Sequence, residues 1–402
     1  MKKIMILGAG TYQVPLIRTA QRMGIYTIVV SIPGDYRGFE LADKICELDT
    51  RDREGILEAA RREQIDGICT SGTDVAVSTI GYVCEQMGLP GIPLKAAEIL
   101  TDKALMKEAF LKGKVSASCG RRVSNVQEAK EAARGIGYPV VVKRVDSSGS
   151  RGITVVQEEE RIEEAFHHAI GRSSRDYVLV EGFIRGTEIG VDGFVQNGEL
   201  VFLAPHGKFV YRGENTTVPV GHEFPYRCTD KVREEIRRQM QAAVAASGAD
   251  RCSVNADVFV DGDKVSVIEM GGRTGATCIP ELISIYYGFD FYEKMIRSAL
   301  GEEVDFETTA EQPCMAKLLM SPVSGVITDI DAEGLDRLRE QGVTIEIDFP
   351  VGHKVFAMAD GTDRIGHVIA KVDKEEELDE LIGKVRSCIR IDGQSLEEIW
   401  KK

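Results

Sequence analysis

The amino-acid sequence predicts a multidomain protein of mixed α/β and α+β class. The first part of the chain alternates short apolar strand patterns with helix patterns, which is typical of a doubly wound parallel sheet. Later segments place strand patterns next to each other, which indicates mixed sheets. With 402 residues, the chain is long enough to form several packed domains.

The alternation of strands and helices is clearest at the N-terminus. Lys3–Leu7 and Tyr26–Ser31 have the apolar runs of buried strands, and Val14–Met23 between them has helical spacing. The turn Gly8-Ala9-Gly10 begins like a dinucleotide-binding fingerprint, but Gln13 occupies the position of the third glycine. A tight strand–helix turn is therefore the simpler interpretation.

Four domains are predicted along the chain. They are a Rossmann-like N-terminal domain, the small and large lobes of a two-lobed module, and a C-terminal α+β lobe. Their predicted bounds are 1–95, 96–182, 183–310 and 311–402. Helical spacing predicts the main later helices at Ala97–Phe110, Lys231–Ser247, Glu333–Gln341 and Lys374–Cys388.

Composition argues against several classes of partner. The net charge of −14 and the lack of a Lys/Arg block argue against binding to nucleic acid. No apolar run approaches the roughly 20 residues that span a bilayer, so no membrane partner is expected. Nine cysteines are scattered singly without metal-ligand spacing. This use of cysteine fits a reducing cytoplasm.

The segment Gly137–Val156 has the pattern of a strand, a turn of small residues and a second strand. Lys143 ends the first strand, where its ammonium group could meet an α-phosphate. Small side chains in the following loop would let backbone N–H groups approach the β- and γ-phosphates closely. The loop residues concerned are Ser147, Ser148, Gly149, Ser150 and Arg151.

Two acidic residues lie about a hundred residues further along the chain. Asn255–Phe259 and Val265–Arg273 have strand patterns that carry Asp257 and Glu269. Such a pair suits Mg²⁺, a hard cation that prefers oxygen ligands and shares them with phosphates. A lysine, a phosphate loop, an acidic pair and the trailing Arg273 together predict a nucleotide site without a Walker motif.

These segments resemble the ATP-grasp superfamily, in the branch that includes biotin carboxylase, carbamoyl-phosphate synthetase halves, purine-biosynthesis carboxylases and L-amino-acid ligases. The resemblance implies ATP and Mg²⁺ as cofactors, with Mn²⁺ as a substitute. It implies that Lys103 and Lys143 contact phosphates, Lys143 the α-phosphate. The helix that Lys103 opens is predicted from residue type to have Thr101 as its N-cap. Arg273 would stabilise charge on the transferred phosphoryl group or on an acyl-phosphate.

The resemblance also implies roles for residues between the phosphate loop and the metal pair. The extended segment around Glu181, Gly182 and Ile184 would read adenine with its backbone, and Glu188 would accept hydrogen bonds from the ribose. His222 lies in a Gly-His-x-x-Pro element like that of amino-acid ligases and would contact a phosphate or position substrate. The roles of His206, Arg212 and the Asp363-Arg364 segment stay open, although a hairpin turn with a salt bridge is favoured for the latter.

One position departs from the pattern of the superfamily. The motif Glu-x-Asn-x-Arg is here Glu269-Met270-Gly271-Gly272-Arg273, so Gly271 replaces the asparagine that usually supplies a metal ligand. Water could complete the coordination, because Mg²⁺ keeps several waters. Alternatively, one metal ion is bound less tightly.

The resemblance implies an ATP-dependent carboxylate–amine ligase that forms an acyl-phosphate and releases ADP and phosphate. An amino acid or a similar small carboxylate, together with an amine, would be the substrates. A bicarbonate-activating enzyme and a nucleotide-binding regulatory protein that has lost its chemistry are the alternatives. Dimers are common in the superfamily, so a homodimer is one expectation. Candidate walls of the acceptor pocket are Gly8–Gln13, Thr70–Asp74, Arg212 and Gly271–Thr277.

Overall fold

The computed structural model of the protein describes residues 1–146, 152–212, 217–359 and 361–401. The strands in this part of the chain are β1 (Lys3–Leu7), β2 (Tyr26–Ser31), β3 (Lys44–Glu47), β4 (Gly67–Cys69), β5 (Gly120–Val123), β6 (Val140–Lys143), β7 (Ile153–Val156), β8 (Val178–Gly182), β9 (Thr187–Gln196), β10 (Glu199–Arg212), β11 (Thr217–Phe224), β12 (Cys252–Asp261), β13 (Lys264–Gly271), β14 (Cys314–Leu319), β15 (Gly325–Ile330), β16 (Thr344–Ile347), β17 (Lys354–Val355), β18 (Gly366–Ala370), β19 (Ile389–Ile391) and β20 (Gln394–Ser395).

The helices are numbered in chain order as well. They are α1 (Val14–Arg22), α2 (Arg37–Leu41), α3 (Arg53–Glu63), α4 (Val77–Met87), α5 (Leu94–Leu100), α6 (Lys103–Lys112), α7 (Val126–Ile136), α8 (Ile162–Ile170), α9 (Asp230–Ser247), α10 (Ile279–Tyr287), α11 (Phe291–Ala299), α12 (Ala332–Glu340), α13 (Glu375–Ser387) and α14 (Leu396–Trp400). None of the described helices is long and apolar enough to cross a membrane. The predicted mixture of α/β and α+β structure is confirmed.

The chain divides into two compact units. The first comprises Met1–Pro205, Arg227–Gly275 and Tyr292–Phe306, and the second comprises His206–Tyr226, Ala276–Phe291 and Glu307–Lys402. The division into four domains predicted from the sequence is finer than this and stays a prediction.

The first unit begins with a four-stranded parallel sheet in the order β3-β2-β1-β4. The turn after β1 is closed by Gln13 in place of a third glycine. The Gln13 side chain accepts a hydrogen bond from the Gly10 N–H at 3.0 Å and donates one to the Ser71 carbonyl at 2.5 Å. The observed element is therefore the tight strand–helix turn that the simpler interpretation predicts.

Two antiparallel layers complete the sheets of the first unit. Strands β5-β8-β6-β7 form a small sheet, and helices α7 and α8 pack against it over an apolar core. The long strand β12 pairs on one side with β9 and on the other with β13. The register of β12 and β13 places Asp257 opposite Glu269 and Asn255 opposite Gly271. Cross-strand neighbours on one face lie close together, so this register decides the geometry of the site.

The second unit is an antiparallel α+β fold. Strands β11, β14, β18 and β16 pair in this order, and Gly207–Arg212 of β10 pairs with β11. A smaller sheet has the order β17-β15-β19-β20. Helices α12, α13 and α14 contribute to a continuous core with β14, β15, β18 and β19.

Candidate nucleotide and metal site

The predicted acidic pair lies on two adjacent strands of the first unit. Asp257 on β12 and Glu269 on β13 face each other across the antiparallel pair, and the register shifts directly after Asp257. Such a bulge bends a strand and re-aims its side chains, and bulges are common beside functional sites. Both carboxylates line a cavity of about 590 Å³.

The cavity lies within the first unit and has a mostly charged lining. Six cationic side chains and four acidic side chains contribute to it. The cationic residues are Arg51, Arg53, Lys103, Arg144, Arg175 and Arg273, and the acidic residues are Asp74, Asp146, Asp257 and Glu269. An excess of cations in a concave site suits a polyanionic ligand.

Lys103 reaches this cavity from the first turn of helix α6. Its ammonium nitrogen lies 2.8 Å from Glu269 Oε2. Burial alone would lower the pKa of Lys103, but the carboxylates of Glu269, Asp74 and Asp257 outweigh it and the pKa is raised. Lys103 is therefore a fixed positive charge beside the acidic pair, and its contact with nucleotide phosphates stays a prediction.

The prediction that Thr101 caps helix α6 is wrong. Asp102 is the N-cap residue, and its carboxylate accepts hydrogen bonds from the N–H groups of Ala104 at 2.9 Å and Leu105 at 3.1 Å. The Thr101 hydroxyl instead donates to the Ala97 carbonyl at 2.8 Å, in the preceding helix. Both residue types are good caps, so their order alone could not decide which one begins the helix.

Arg273 is held by a two-point ion pair with Asp74. Arg273 Nη2 donates to Asp74 Oδ2 at 2.8 Å, and Arg273 Nε lies 2.8 Å from Asp74 Oδ1. Arg273 Nη1 donates to Asn255 Oδ1 at 2.9 Å. Burial would lower the pKa of the guanidinium, but the negative charge of Asp74 outweighs this effect and raises it. The planar guanidinium is thereby fixed in orientation at the cavity wall.

The fully buried carboxylate of Asp192 stabilises the residues next to Arg273. Asp192 on β9 accepts hydrogen bonds from Asn255 Nδ2 at 2.7 Å, from the Thr274 hydroxyl at 3.2 Å and from the Gly275 N–H at 2.8 Å. Sequence reasoning missed Asp192 and the role of Asn255. The signal for Asp192 was present, because an acidic residue inside an apolar strand needs buried hydrogen-bond donors.

Gly271 leaves space for Asp74. A Cβ atom added at position 271 would lie 2.9 Å from Asp74 Oδ1 and 3.5 Å from Arg273 Cζ. Any larger side chain at this position would therefore press against the ion pair between Asp74 and Arg273. The glycine therefore leaves Asp74 room beside Arg273 in this arrangement.

Lys143 lies at the end of β6 and is almost completely buried. Its ammonium nitrogen lies 2.5 Å from Glu181 Oε1, and Lys107 lies 2.9 Å from Glu181 Oε2. Burial would raise the pKa of Glu181, but the two ammonium groups outweigh it and lower that pKa. The Ser118 hydroxyl completes the cluster with a hydrogen bond of 3.0 Å to Glu181. Sequence reasoning missed Lys107 and the buried ion pairs.

The other predicted nucleotide contacts lie around the end of β8. Gly182 donates its N–H to the Cys119 carbonyl at 2.9 Å, so the segment before Ile184 is tied to its neighbours by the backbone. Glu188 is exposed at the start of β9. The phosphate loop of Ser147, Ser148, Gly149, Ser150 and Arg151 lies outside the described residues. The nucleotide roles of all these residues stay predictions.

His222 lies in the second unit and is buried. Its ring meets that of His206 edge to face with centroids 4.7 Å apart, and Nδ1 lies 3.3 Å from the Gly207 carbonyl oxygen. Burial, reinforced by His206, places the pKa of His222 well below its ordinary value. His222 is therefore uncharged near neutral pH.

Arg364 in the same unit forms a buried ion pair with Asp348 at 2.6 Å and contacts His367 Nδ1 at 2.7 Å. The Asp363 carboxylate accepts a hydrogen bond from the Ala359 N–H at 2.8 Å. The ion pair of Arg364 thus leads to Asp348, outside the Asp363-Arg364 segment, and the interpretation of this segment as a hairpin turn stays a prediction.

The described residues contain no cluster of three or more His, Cys, Asp or Glu side chains that could hold a metal ion by themselves. The facing pair Asp257 and Glu269 nevertheless fits Mg²⁺. This ion is commonly bound through one or two carboxylates and completes its octahedron with phosphate oxygens and water.

Comparisons with known proteins agree with this geometry. Residues 136–281 match the ATP-grasp domain family, and residues 317–392 match the family called L-amino acid ligase C-terminal domain 2. A formate-dependent phosphoribosylglycinamide formyltransferase of Parasynechococcus marenigrum is 27% identical over 322 residues, which cover 77% of this chain and 79% of the relative.

Two solved structures are similar over nearly the whole chain. Phosphoribosylglycinamide synthetase from Anaerococcus prevotii has a TM-score of 0.81 at 28% identity, over 98% of this chain and 100% of that one. L-amino acid ligase from Bacillus licheniformis has a TM-score of 0.80 at 18% identity, over 98% of this chain and 99% of that one, and this likeness concerns the fold. Residues 136–281 are therefore an ATP-grasp domain, in a chain that resembles ATP-grasp ligases over nearly its whole length.

Proposed function

We propose that the enzyme uses ATP to join an amino acid, or a similar small carboxylate, to an amine. The observation that carries this proposal is the convergence of Asp257, Glu269, Lys103 and Arg273 on one cavity of the first unit. The match of the C-terminal residues to an L-amino acid ligase domain supports an amino acid as the carboxylate.

In the first step, a carboxylate oxygen of the substrate attacks the γ-phosphorus of ATP. The bond from this phosphorus to the β–γ bridging oxygen breaks, ADP leaves, and an acyl-phosphate forms. In the second step, the amine nitrogen attacks the acyl carbon, and the bond to the phosphate oxygen breaks. The products are an amide, ADP and inorganic phosphate, and the amine loses a proton.

The residues of the cavity act by position and charge, as in phosphoryl transfer generally. Arg273 would stabilise the negative charge that spreads over the transferred group, because its guanidinium is already oriented by Asp74 and Asn255. Lys103 would neutralise phosphate charge next to the acidic pair. Asp257 and Glu269 would hold Mg²⁺, which supplies charge neutralisation for the phosphates when bound.

A second candidate function has the same chemistry with different substrates. Formate and phosphoribosylglycinamide are the compounds after which the formyltransferase relative is named. The arginines Arg51, Arg53 and Arg175 on the cavity wall favour an acceptor that carries a phosphate. Two further alternatives are activation of bicarbonate and loss of catalysis. The experiment described next distinguishes both of them from the proposed function.

The proposal is tested by measuring ADP release with ATP and Mg²⁺ while the acid and the amine are varied. Amino acids offered singly and in pairs, formate with glycinamide ribonucleotide, and bicarbonate form the arms, with mass spectrometry of the product. ADP release that requires an amino acid, together with a dipeptide or amino-acid amide product, is expected. ADP release that requires formate or bicarbonate instead would identify the corresponding alternative. If none of these acids stimulated ADP release, the proposed ligase would be disproved.

A further inference from the structure

Strand β9 carries an acidic side chain in its buried interior. Asp192 has no exposed surface, and its neighbours Val191 and Phe194 on the same strand are buried as well. A carboxylate is costly to bury in its charged form unless hydrogen-bond donors surround it. Packing alone would favour an apolar residue at this position, so the reason for an aspartate lies in its hydrogen bonds.

The two oxygens of this carboxylate bind two different neighbours of Arg273. Asp192 Oδ2 accepts a hydrogen bond of 2.7 Å from Asn255 Nδ2, and Asn255 lies opposite Asp192 in the pairing of β9 with β12. Asp192 Oδ1 accepts hydrogen bonds from the Gly275 N–H at 2.8 Å and from the Thr274 hydroxyl at 3.2 Å. Thr274 and Gly275 directly follow Arg273 in the chain, so the carboxylate binds both a side-chain partner and the next backbone segment of the arginine.

The charge of Asp192 decides which way the Asn255 amide points. A carboxylate accepts hydrogen bonds and donates none, so the NH₂ group of Asn255 faces Asp192. The amide oxygen then faces the other way, where it accepts the hydrogen bond of 2.9 Å from Arg273 Nη1. A reversed amide would bring two donors together at Arg273 and two acceptors together at Asp192.

The other oxygen of the carboxylate fixes the backbone beside the same guanidinium. Arg273 Nη1 also donates to the Thr274 carbonyl at 3.2 Å, and the Gly72 N–H donates to that carbonyl at 3.3 Å. Among the described residues, Arg273 lines the nucleotide cavity and Asp192 does not. Any effect of Asp192 on a bound nucleotide therefore passes through other residues.

We infer that Asp192 is a positioning residue of the ligase reaction. Through Asn255 and through the segment of Thr274 and Gly275, it holds the Arg273 guanidinium in the orientation in which Arg273 stabilises the transferred phosphoryl group. The inference rests on the proposed function, which assigns that role to Arg273. Donors that are oriented before the reaction stabilise the transition state without reorganisation. Asp192 should therefore affect the catalytic step more than the binding of ATP.

Asp192→Asn tests this role with a side chain of nearly the same size. In one orientation the new NH₂ group meets the Gly275 N–H, and in the other it forces the Asn255 amide to reverse. The kcat of acid-dependent ADP release should fall on the order of a hundredfold, while the KM for ATP and the calorimetric affinity for ATP with Mg²⁺ change by less than about threefold. A kcat within about threefold of the unchanged protein would overturn the inference.

Gln196 provides the matched control for lost stability, because it lies on the same strand. It is buried, and its Oε1 accepts a hydrogen bond of 3.0 Å from the Val304 N–H. Gln196→Met removes this buried acceptor and leaves the contacts of Arg273 intact. The melting temperature should fall, as buried donors without partners cost stability, but kcat should not change at a temperature where the variant is folded. An equal loss of kcat in the Gln196 and Asp192 variants would show a structural role alone.

A double-mutant cycle tests whether Asp192 acts through Arg273. Arg273→Ala removes the group that Asp192 is inferred to hold, so adding Asp192→Asn to it should lower kcat by no more than about twofold further. Losses that multiply in the double variant would contradict the inference. Asn255→Ala changes a half-buried residue and should reproduce the loss of kcat, so it provides the same test if Asp192→Asn does not fold.

A crystal structure of the Asp192→Asn variant tests the positioning without any substrate. Compared with the structure of the unchanged protein, the Arg273 guanidinium should be displaced and its hydrogen bond to Asn255 Oδ1 lost. A guanidinium with unchanged position and contacts would overturn the inference, whichever acid the enzyme activates. Failure of the proposed function has a different sign, because the unchanged protein itself would then show no acid-dependent ADP release.

Discussion

Replacing Glu269 with glutamine is expected to lower ADP formation on the order of a thousandfold at saturating ATP and Mg²⁺. The substitution keeps the size of the side chain but removes one of two facing carboxylates, and metal-assisted charge stabilisation is worth several kcal/mol in the transition state. It also removes the partner that lies 2.8 Å from Lys103. Initial rates of ADP production measure the effect.

The matched control for this variant is Asp261→Asn. Asp261 lies on β12, the strand that carries Asp257, but at its exposed end. It should retain the activity and melting temperature of the unchanged protein. ADP formation by the Glu269 variant at the rate of the control would show that this carboxylate does not hold the metal.

Replacing Lys143 with alanine is expected to reduce both turnover and stability. The Lys143 side chain is only 4% exposed and its partner Glu181 is 5% exposed. Among the described residues, the substitution therefore leaves this buried carboxylate with Lys107 as its ionic partner. Removing one member of a buried ion pair costs about 3 kcal/mol or more of unfolding free energy. Turnover should fall on the order of a hundredfold if the ammonium group also contacts the nucleotide.

Lys107→Met separates the two effects of the Lys143 substitution. Lys107 contacts the same carboxylate and should lose a similar amount of stability in urea unfolding. It should keep most of its turnover at a temperature where the variant is folded. If both variants lost activity in proportion to their stability, Lys143 would have a structural role alone.

Much of the fold could be predicted because local patterns determine it. Helix α9 was expected at Lys231–Ser247 and spans Asp230–Ser247, and helix α13 was expected at Lys374–Cys388 and spans Glu375–Ser387. Asp257 and Glu269 were expected on two adjacent strand patterns, and the structure places them on β12 and β13. The positions of helices and strands follow directly from hydrophobic periodicity and short connections.

The contacts that orient the site could not be predicted in the same way. Asp74 and Arg273 are separated by 199 positions, and nothing in either local segment indicates their ion pair. The sequence placed Lys143 at the end of a strand but did not indicate that Glu181 would be its ionic partner or that Lys107 would share that carboxylate. Both features depend on how distant strands are brought together.

Gly271 illustrates how the structure changes the meaning of a motif. In the sequence it is a missing metal ligand, and it motivated the hypothesis of lost catalysis. In the structure, it provides the space in which Asp74 holds Arg273. The space beside Gly271 is therefore taken by the Asp74 side chain. The glycine alone is no evidence against activity.

Calorimetric titration of ATP into the protein, with and without excess Mg²⁺, examines the nucleotide cavity without requiring knowledge of the acid or amine. Saturable binding that strengthens with Mg²⁺ and is weakened in the Glu269→Gln variant is expected, because Asp257 and Glu269 would hold the ion that neutralises phosphate charge. Absence of binding heat at millimolar nucleotide with excess Mg²⁺ would show that this cavity is not an ATP site.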